Sequence, residues 1–460
     1  MRHWSAERVA QAAGARLLTP PAEETQDESR GPTRASIDSR GVLAGDLFVG
    51  LRGRHTDGGA HALRALQEGA WGVLVTAEHA RPAAAASSGG VVLEHPDPLA
   101  GLQALAHAWR EELRSRGARV VAITGSTGKT STKDILAALL ATRLRTAASP
   151  QNLNTEIGLP LALLAAPADV EAVVLEMAMR GSGQIAELTA IAEPDVGVIV
   201  NVGPAHLALL GSLEAIAAAK AELIAGMAPG RCVVLPAAEP LLEPHLRSDL
   251  ESITFGEGGA VSLLERAEDG RVAIAARGER IELWPSFSQA HNLRNLLAAV
   301  AGALALGIEP SGRLEVRFSS MRGERLELTG GVVVIDDCYN ANPMSMRAAI
   351  DELTATAPAR RVAVLGDMLE LGVDSPTLHT EIGEYAGSRG VGLLIGVGPL
   401  AAEIAAAFAG ESHTVPDAQA AGELLADLLA PGDTVLVKGS RGVGLEQVAE
   451  SLGARAAERR

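Results

Sequence analysis

The stretch VVAITGSTGKTSTKDILAALL, Val120 to Leu140, limits what the chain can fold into more than any other segment. An apolar run leads into glycines, a lysine and a threonine follow, and a helical pattern begins. A strand, Gly-x-x-Gly-Lys-Thr and a helix in that order make a phosphate cradle. The glycines allow a tight backbone, and the helix aims free N–H groups at an anion. The spacing is shorter than the usual G-x-x-x-x-G-K-[ST], whose first position is here Ile123. Thr124, Gly125, Ser126, Thr127, Gly128, Lys129, Thr130 and Ser131 are therefore the candidates for holding nucleotide phosphates. Lys129 can reach the terminal phosphates, and Thr130 can offer its hydroxyl to Mg²⁺.

Strand and helix signals alternate on both sides of this loop. VVAIT, AVVLEMA, VGVIVNV and RCVVLP, with helical stretches between, imply a doubly wound, mostly parallel sheet. GVVVIDD, RVAVLGD, GLLIGVG and TVLVKGS imply a second, Rossmann-like sheet near the C-terminus. GDLFVGL, WGVLV and GGVVLEHPDP suggest a smaller α/β unit at the N-terminus, with PAAAASSGG as a loop within it. The 460 residues suit about three domains. The boundaries expected are 1–116, 117–310 and 311–460, with RSRGAR as the first linker. Ligands in such sheets gather beyond the carboxyl ends of strands, where DDCYNANP, GDMLELG and KGSRG all fall.

A formal net charge of −16 weighs against nucleic acid and anionic membrane as partners. The N-terminus lacks the apolar core of a signal peptide, and no apolar run reaches the roughly 18 residues of a membrane span. Two cysteines in a long chain read as reduced thiols. The expectation is a cytoplasmic protein, monomeric, without nucleic acid or membrane insertion.

Only four of the 40 basic residues are lysine: Lys129, Lys133, Lys220 and Lys438. Where arginine fills almost every basic position, a retained lysine marks a place where a compact amine matters, or merely a solvated one. Glu176 ends the strand AVVLE, where a buried carboxylate needs a salt bridge or a metal. His206 follows VGVIVNVGPA; alone it reads as a surface or capping residue, and beside Glu176 and Lys220 as a metal ligand. Lys220 sits in an alanine-rich helix. It reads as solvated or as buried, and a buried lysine can lose its proton, add CO₂ and become an anionic carbamate suited to Mg²⁺.

Over nearly its whole length the chain resembles the Mur ligase family of peptidoglycan synthesis. The stretches that carry the resemblance are SIDSRGVLAGDLFVGLRG, ITGSTGKTSTK, NLNTEIGLP, VLEMA, VGPAHL, AAAKAEL, HNLRN, RLEL, DDCYNANPMSM, VLGDMLELG and VLVKGSRG. DDCYNANP with GDMLELG resembles the member that adds a dipeptide. The resemblance implies ATP-dependent joining of D-alanyl-D-alanine to UDP-N-acetylmuramoyl-tripeptide through an acyl phosphate, with two Mg²⁺ ions and a carbamate on Lys220. It implies that Asp38, Ser39, Arg40, Phe48 and Gly53 meet the uridine diphosphate end, and that Asn154 and Thr155 lie in the substrate site. Thr130, Glu176, His206 and Lys220 match the metal-binding positions. Asn292 and Asn295 match the adenine segment, Arg325 an arginine that reaches ATP from the third domain, and Asp337 a ribose contact. Tyr339, Asn340, Asn342, Pro343, Lys438 and Ser440 match the surroundings of the dipeptide. Lys129, Glu176, His206, Lys220 and Arg325 are then the catalytic set. The sequence departs from the family pattern at Gly59, where a histidine is expected after Asp-Gly. The alternatives are an enzyme of the same fold with another amino-acid substrate, such as folylpolyglutamate synthase, a member that adds a single amino acid to the muramyl peptide, and a non-catalytic nucleotide-gated module.

Overall fold

The structure is a computed structural model and describes residues 1, 3–20, 31–53, 55–86, 89–150 and 152–458. Three sheets of five, ten and six strands follow one another along the chain. The α/β architecture expected from the alternating pattern is present, with mostly parallel pairing in each sheet.

The central sheet is built on Arg119–Thr124, which lies between Ala172–Glu176 and Val196–Ile199, all parallel. These strands carry almost no exposed residue, because helices cover both faces, and they read as continuous apolar runs for that reason. Cys232–Pro236 and Glu251–Phe255 extend the parallel order. Beyond them the sheet turns into an antiparallel meander, Val261–Arg266, Val272–Ala276 and Glu279–Pro285. Gly312–Leu314, past residue 310, pairs in parallel with Glu279–Pro285 and so belongs to this sheet.

The six-stranded sheet is parallel except at one edge, where Glu324–Glu327 runs antiparallel to Val333–Asp336. In the first sheet only Arg16–Thr19 is antiparallel to its neighbour. PAAAASSGG is not a loop throughout, because the helix Ala77–Ala86 takes its first five residues. Alanine is the best helix former, and Ala80 and Ala83 are buried under the sheet, which outweighs the interior Pro82.

The helix Pro98–Ser115 joins the first two sheets. Asp97 caps it by accepting from Leu99 N and Ala100 N, and Pro98 fits its first turn. Its far face packs on the central unit: the Trp109 indole donates to Ala166 O at 3.2 Å. The fully buried Arg110 donates to Asp195 Oδ2 at 2.9 Å, and Arg231 reaches Asp195 Oδ1 at 2.6 Å. Val120 N also donates to Asp195, at 2.8 Å, so one carboxylate fixes helix and sheet together. Removing it leaves Arg110 charged and uncompensated in the core. Asp195→Ala is therefore expected to lose about 3–5 kcal/mol in urea unfolding. A loss below about 1 kcal/mol would refute the argument.

Candidate active site

Three carboxyl ends of the central parallel strands meet in one crevice. From Thr124 the chain enters the phosphate loop, where Gly125 and Gly128 take φ of +154° and +75°. A Cβ on Gly128 would lie 2.4 Å from Asn295 Oδ1, so only glycine allows this loop to sit on the Asn292–Asn295 segment. Asn295 Nδ2 donates to Asn292 Oδ1 at 3.3 Å, and both side chains are buried. The helix Lys129–Ala141 then begins, with its free N–H groups at the crevice.

The loop is braced by a residue the sequence reading missed. Asn201, just past the strand Val196–Ile199, accepts from Ser126 N at 3.1 Å and from Thr127 N at 2.9 Å. Its amide returns a bond to Thr127 Oγ1 at 3.0 Å. A polar residue at the end of a buried strand was the available signal. Lys129 Nζ donates to Gly125 O at 2.8 Å. Burial lowers the Lys129 pKa, while Glu176 opposes that and Arg322 adds to it.

Glu176 is buried at the tip of its strand. Thr130 Oγ1 donates to its Oε2 at 2.8 Å and Asn154 Nδ2 to its Oε1 at 2.9 Å. Among the described residues it has no salt bridge. A buried carboxylate held only by neutral donors, with a hydroxyl oxygen alongside, is the donor set a hard cation takes, and it suits Mg²⁺. Lys220 is 1% exposed within the helix Leu213–Gly226, and among the described residues its amine has no hydrogen-bond or ion-pair partner. Burial first, and the Lys129 charge second, push it well below the ordinary lysine value. His206 is held low by burial and by Lys129, with Glu370 opposing; its Nδ1 lies 2.5 Å from Glu370 Oε2. Lys220 also lowers it, so Lys129, His206 and Lys220 share one field.

The third sheet reaches this crevice, and here the structure differs from expectation. Arg325 does not face the loop. Its guanidinium donates to Thr356 Oγ1 at 2.9 Å and lies 3.5 Å from Glu352, because its strand position turns it toward the helix Pro343–Thr356. Arg322, three residues earlier, meets the phosphate loop instead. Its Nη2 donates to Thr130 Oγ1 at 2.9 Å, and its guanidinium lies 4.1 Å from the Tyr339 ring centroid. Ser319 N donates to Asp134 at 2.9 Å beside it.

Several other expected site residues already have partners within the chain. Phe48 is fully buried against Ala62, Ala65 and Val73, so its ring supports its loop. Asn342 caps the helix Pro343–Thr356, accepting from Ser345 N, and Pro343 opens its first turn. Ser440 Oγ accepts from Leu369 N at 2.9 Å, and Thr155 Oγ1 accepts from Gly158 N at 3.4 Å. The buried Lys438 binds Asp337 Oδ2 at 2.6 Å and Asn340 O at 3.1 Å, so it ties down the DDCYNANP turn. Asp38 and Arg40 form an exposed pair, whose hydrogen bond holds Asp38 at about 2. Ser39 lies between them, and Gly53 closes a turn onto Thr56 O. At Gly59 a Cβ would meet the ring of His79 at 2.2 Å, and His79 lies 3.2 Å from Asp57. A histidine from the helix Ala77–Ala86 thus fills the space beside the glycine.

Known proteins resemble this chain over most of its length. The Mur ligase middle domain matches residues 123–303, and the Mur ligase, glutamate ligase domain matches 321–441. The UDP-N-acetylmuramoyl-tripeptide–D-alanyl-D-alanine ligase of Synechocystis sp. is 37% identical, covering 90% of each chain. The enzyme of that name from Bacillus subtilis is 34% identical, over 91% of this chain and 92% of the other. Among solved structures, MurF from Acinetobacter baumannii superposes with a TM-score of 0.85 at 26% identity, covering 98% of each chain. MurF ligase from Thermotoga maritima in complex with ADP gives 0.79 at 30% identity, over 93% of this chain and 98% of that one. The chain belongs to the Mur ligase family, in its MurF branch.

Proposed function

We infer that this chain is an ADP-forming ligase that joins D-alanyl-D-alanine to UDP-N-acetylmuramoyl-tripeptide, giving the pentapeptide precursor of peptidoglycan. The observation that carries the reading is Thr130. Its hydroxyl is shared between Glu176 of the central sheet and Arg322 of the third, so the phosphate loop is closed by both lobes. In this reading residues 1–116 hold the uridine diphosphate end, residues from 117 through the strand Gly312–Leu314 bind ATP, and the six-stranded unit that follows closes on it and receives the dipeptide. Two free, buried cysteines and an ATP substrate support a cytoplasmic location. Among the described residues no helix is long and apolar enough to cross a membrane.

A carboxylate is too poor an electrophile to take an amine directly. Its oxygen attacks the γ-phosphorus of ATP, the bond to ADP breaks, and an acyl phosphate forms. The neutral amine of the dipeptide then attacks the carbonyl, phosphate leaves, and the ammonium proton is released overall. Each step brings anions together, and Lys129 and Arg322 supply the opposing charge from fixed positions. Mg²⁺ held by Thr130, Glu176 and His206 would add further neutralisation and orient the phosphates. Water would destroy the acyl phosphate, which is why the lobes must shut on it. The shortened loop suits this task, because it has to grip phosphate and has no water to activate.

The test is ADP release with UDP-muramyl-tripeptide, with and without D-alanyl-D-alanine. Release that needs the dipeptide supports the reading; release indifferent to it rejects it. Arg322→Ala is expected to lower kcat by about 10²-fold while ATP binding changes much less. Arg325→Ala, which loses only the contacts to Thr356 and Glu352, is expected to change kcat by less than about tenfold. The reverse order of effects would return the role to Arg325.

A further inference from the structure

The GDMLELG segment marks the branch but has so far had no task. It leaves the carboxyl end of the strand Arg361–Gly366 and crosses to the central lobe. Its base is clamped. Met368 N donates to His379 Nε2 at 2.9 Å, and His379 Nδ1 donates to Ser375 O at 2.6 Å. Asp367 O accepts from Ser440 N at 3.0 Å, and Asp367 Oδ1 accepts from Ala401 N at 2.7 Å. The tip is pressed onto the turn that carries His206. Glu370 O accepts from Ala208 N at 3.0 Å, and a Cβ on Gly372 would lie 3.0 Å from Ala208 Cα.

Both residues at the contact are held in the left-handed region, Glu370 at φ +67° and His206 at φ +61°. Neither is a glycine or asparagine, so each conformation costs on the order of 1 kcal/mol and persists only because the surroundings impose it. The two strained residues meet through one bond, His206 Nδ1 to Glu370 Oε2 at 2.5 Å. A carboxylate on Nδ1 fixes the proton there and leaves the Nε2 lone pair for a cation.

We propose that Glu370 is a positioning residue: it crosses from the third lobe to set the tautomer and ring direction of His206, so that the metal site is complete only while the lobes are docked. The proposal rests on the ligase reading for its purpose. It explains why the loop base is locked by a buried histidine and why its tip accepts strain. It also couples substrate-driven docking to cation binding without any residue of the third lobe touching the cation.

The experiment is Mg²⁺-dependent binding of a non-hydrolysable ATP analogue, followed by calorimetry on the full chain. Glu370→Ala is expected to raise the Mg²⁺ concentration for half-maximal binding by about 10-fold or more, with metal-free binding unchanged. Glu370→Gln keeps an acceptor for Nδ1–H and should fall between Glu370→Ala and the native chain. His206→Ala should lose at least as much as Glu370→Ala, and the double variant should lose no more than His206→Ala alone. An unchanged Mg²⁺ requirement in Glu370→Ala, or additive losses in the double variant, would overturn the proposal. Glu370 is 45% exposed, so its variants are expected to fold, and melting curves check that. These readouts need no dipeptide. Failure of dipeptide-dependent ADP release would remove the ligase reading and leave the coupling of Glu370 to His206 decided on its own.

Discussion

Lys129→Ala is expected to lower kcat by about 10²–10³-fold, or roughly 3–4 kcal/mol of barrier, with the melting temperature nearly unchanged. The second half of that expectation comes from what Lys129 does in the free protein. Its one hydrogen bond among the described residues is to Gly125 O, and burial depresses its pKa. An ammonium with so little compensation contributes nothing to stability; it is held for an anion that arrives later. When the γ-phosphate moves to a carboxylate, charge spreads over its equatorial oxygens, and a preorganised ammonium opposes it without rearrangement. Lys129→Arg should not restore the rate. A planar fork cannot take the position of the compact amine that donates to Gly125 O. Initial rates at saturating ATP, with thermal melts of the same preparations, check both parts. A large loss of melting temperature with an unchanged kcat would reassign Lys129 to the fold.

What could be read from the sequence follows from how local each signal is. The phosphate loop is local: one segment holds strand, glycines, lysine and helix start, and the structure puts all of them at the crevice. The parallel strands were legible because burial on both faces leaves an unbroken apolar run. The meander from Val261 to Pro285 was not, because it is half exposed and its strands alternate with charge, as in the exposed end of Val261–Arg266. Arg325 and Arg322 are three residues apart, and only the edge pairing of Glu324–Glu327 decides which of them faces Thr130. Asn-Pro-Met-Ser spells the helix cap that Asn342 forms, a local signal present in the sequence. Lys438 was rightly singled out as unusual, but its partners lie about a hundred residues upstream and no spacing rule finds them. Glu370 was quoted within its motif, and its task depends on His206, 164 residues away.

Lys220→Arg is expected to cost at least about 10²-fold in kcat, because arginine keeps the charge that the site cannot accommodate. Lys220 is buried without a partner for its amine among the described residues, in the same field as Lys129 and His206. A second ammonium there would repel both the cation that Glu176 calls for and its own neighbour. Burial lowers the Lys220 pKa well below the ordinary lysine value, which favours the neutral amine. A neutral amine can attack CO₂; a carbon–nitrogen bond forms, one proton leaves, and the product is an anionic carbamate with two oxygens. On that reading the sign of the residue would invert, from repelling Mg²⁺ to binding it. Acid should therefore reverse the step, since protonation of the amine competes with CO₂. Activity is expected to fall when the enzyme is kept at mildly acidic pH under CO₂-free gas. It should return with added bicarbonate, and Lys220→Arg should show no such response. Isotopically labelled bicarbonate should give a carbamate carbon signal in the native chain and none in Lys220→Arg. Full activity in rigorously CO₂-free buffer, or a native-like rate in Lys220→Arg, would show that the amine serves the site without the added carboxylate.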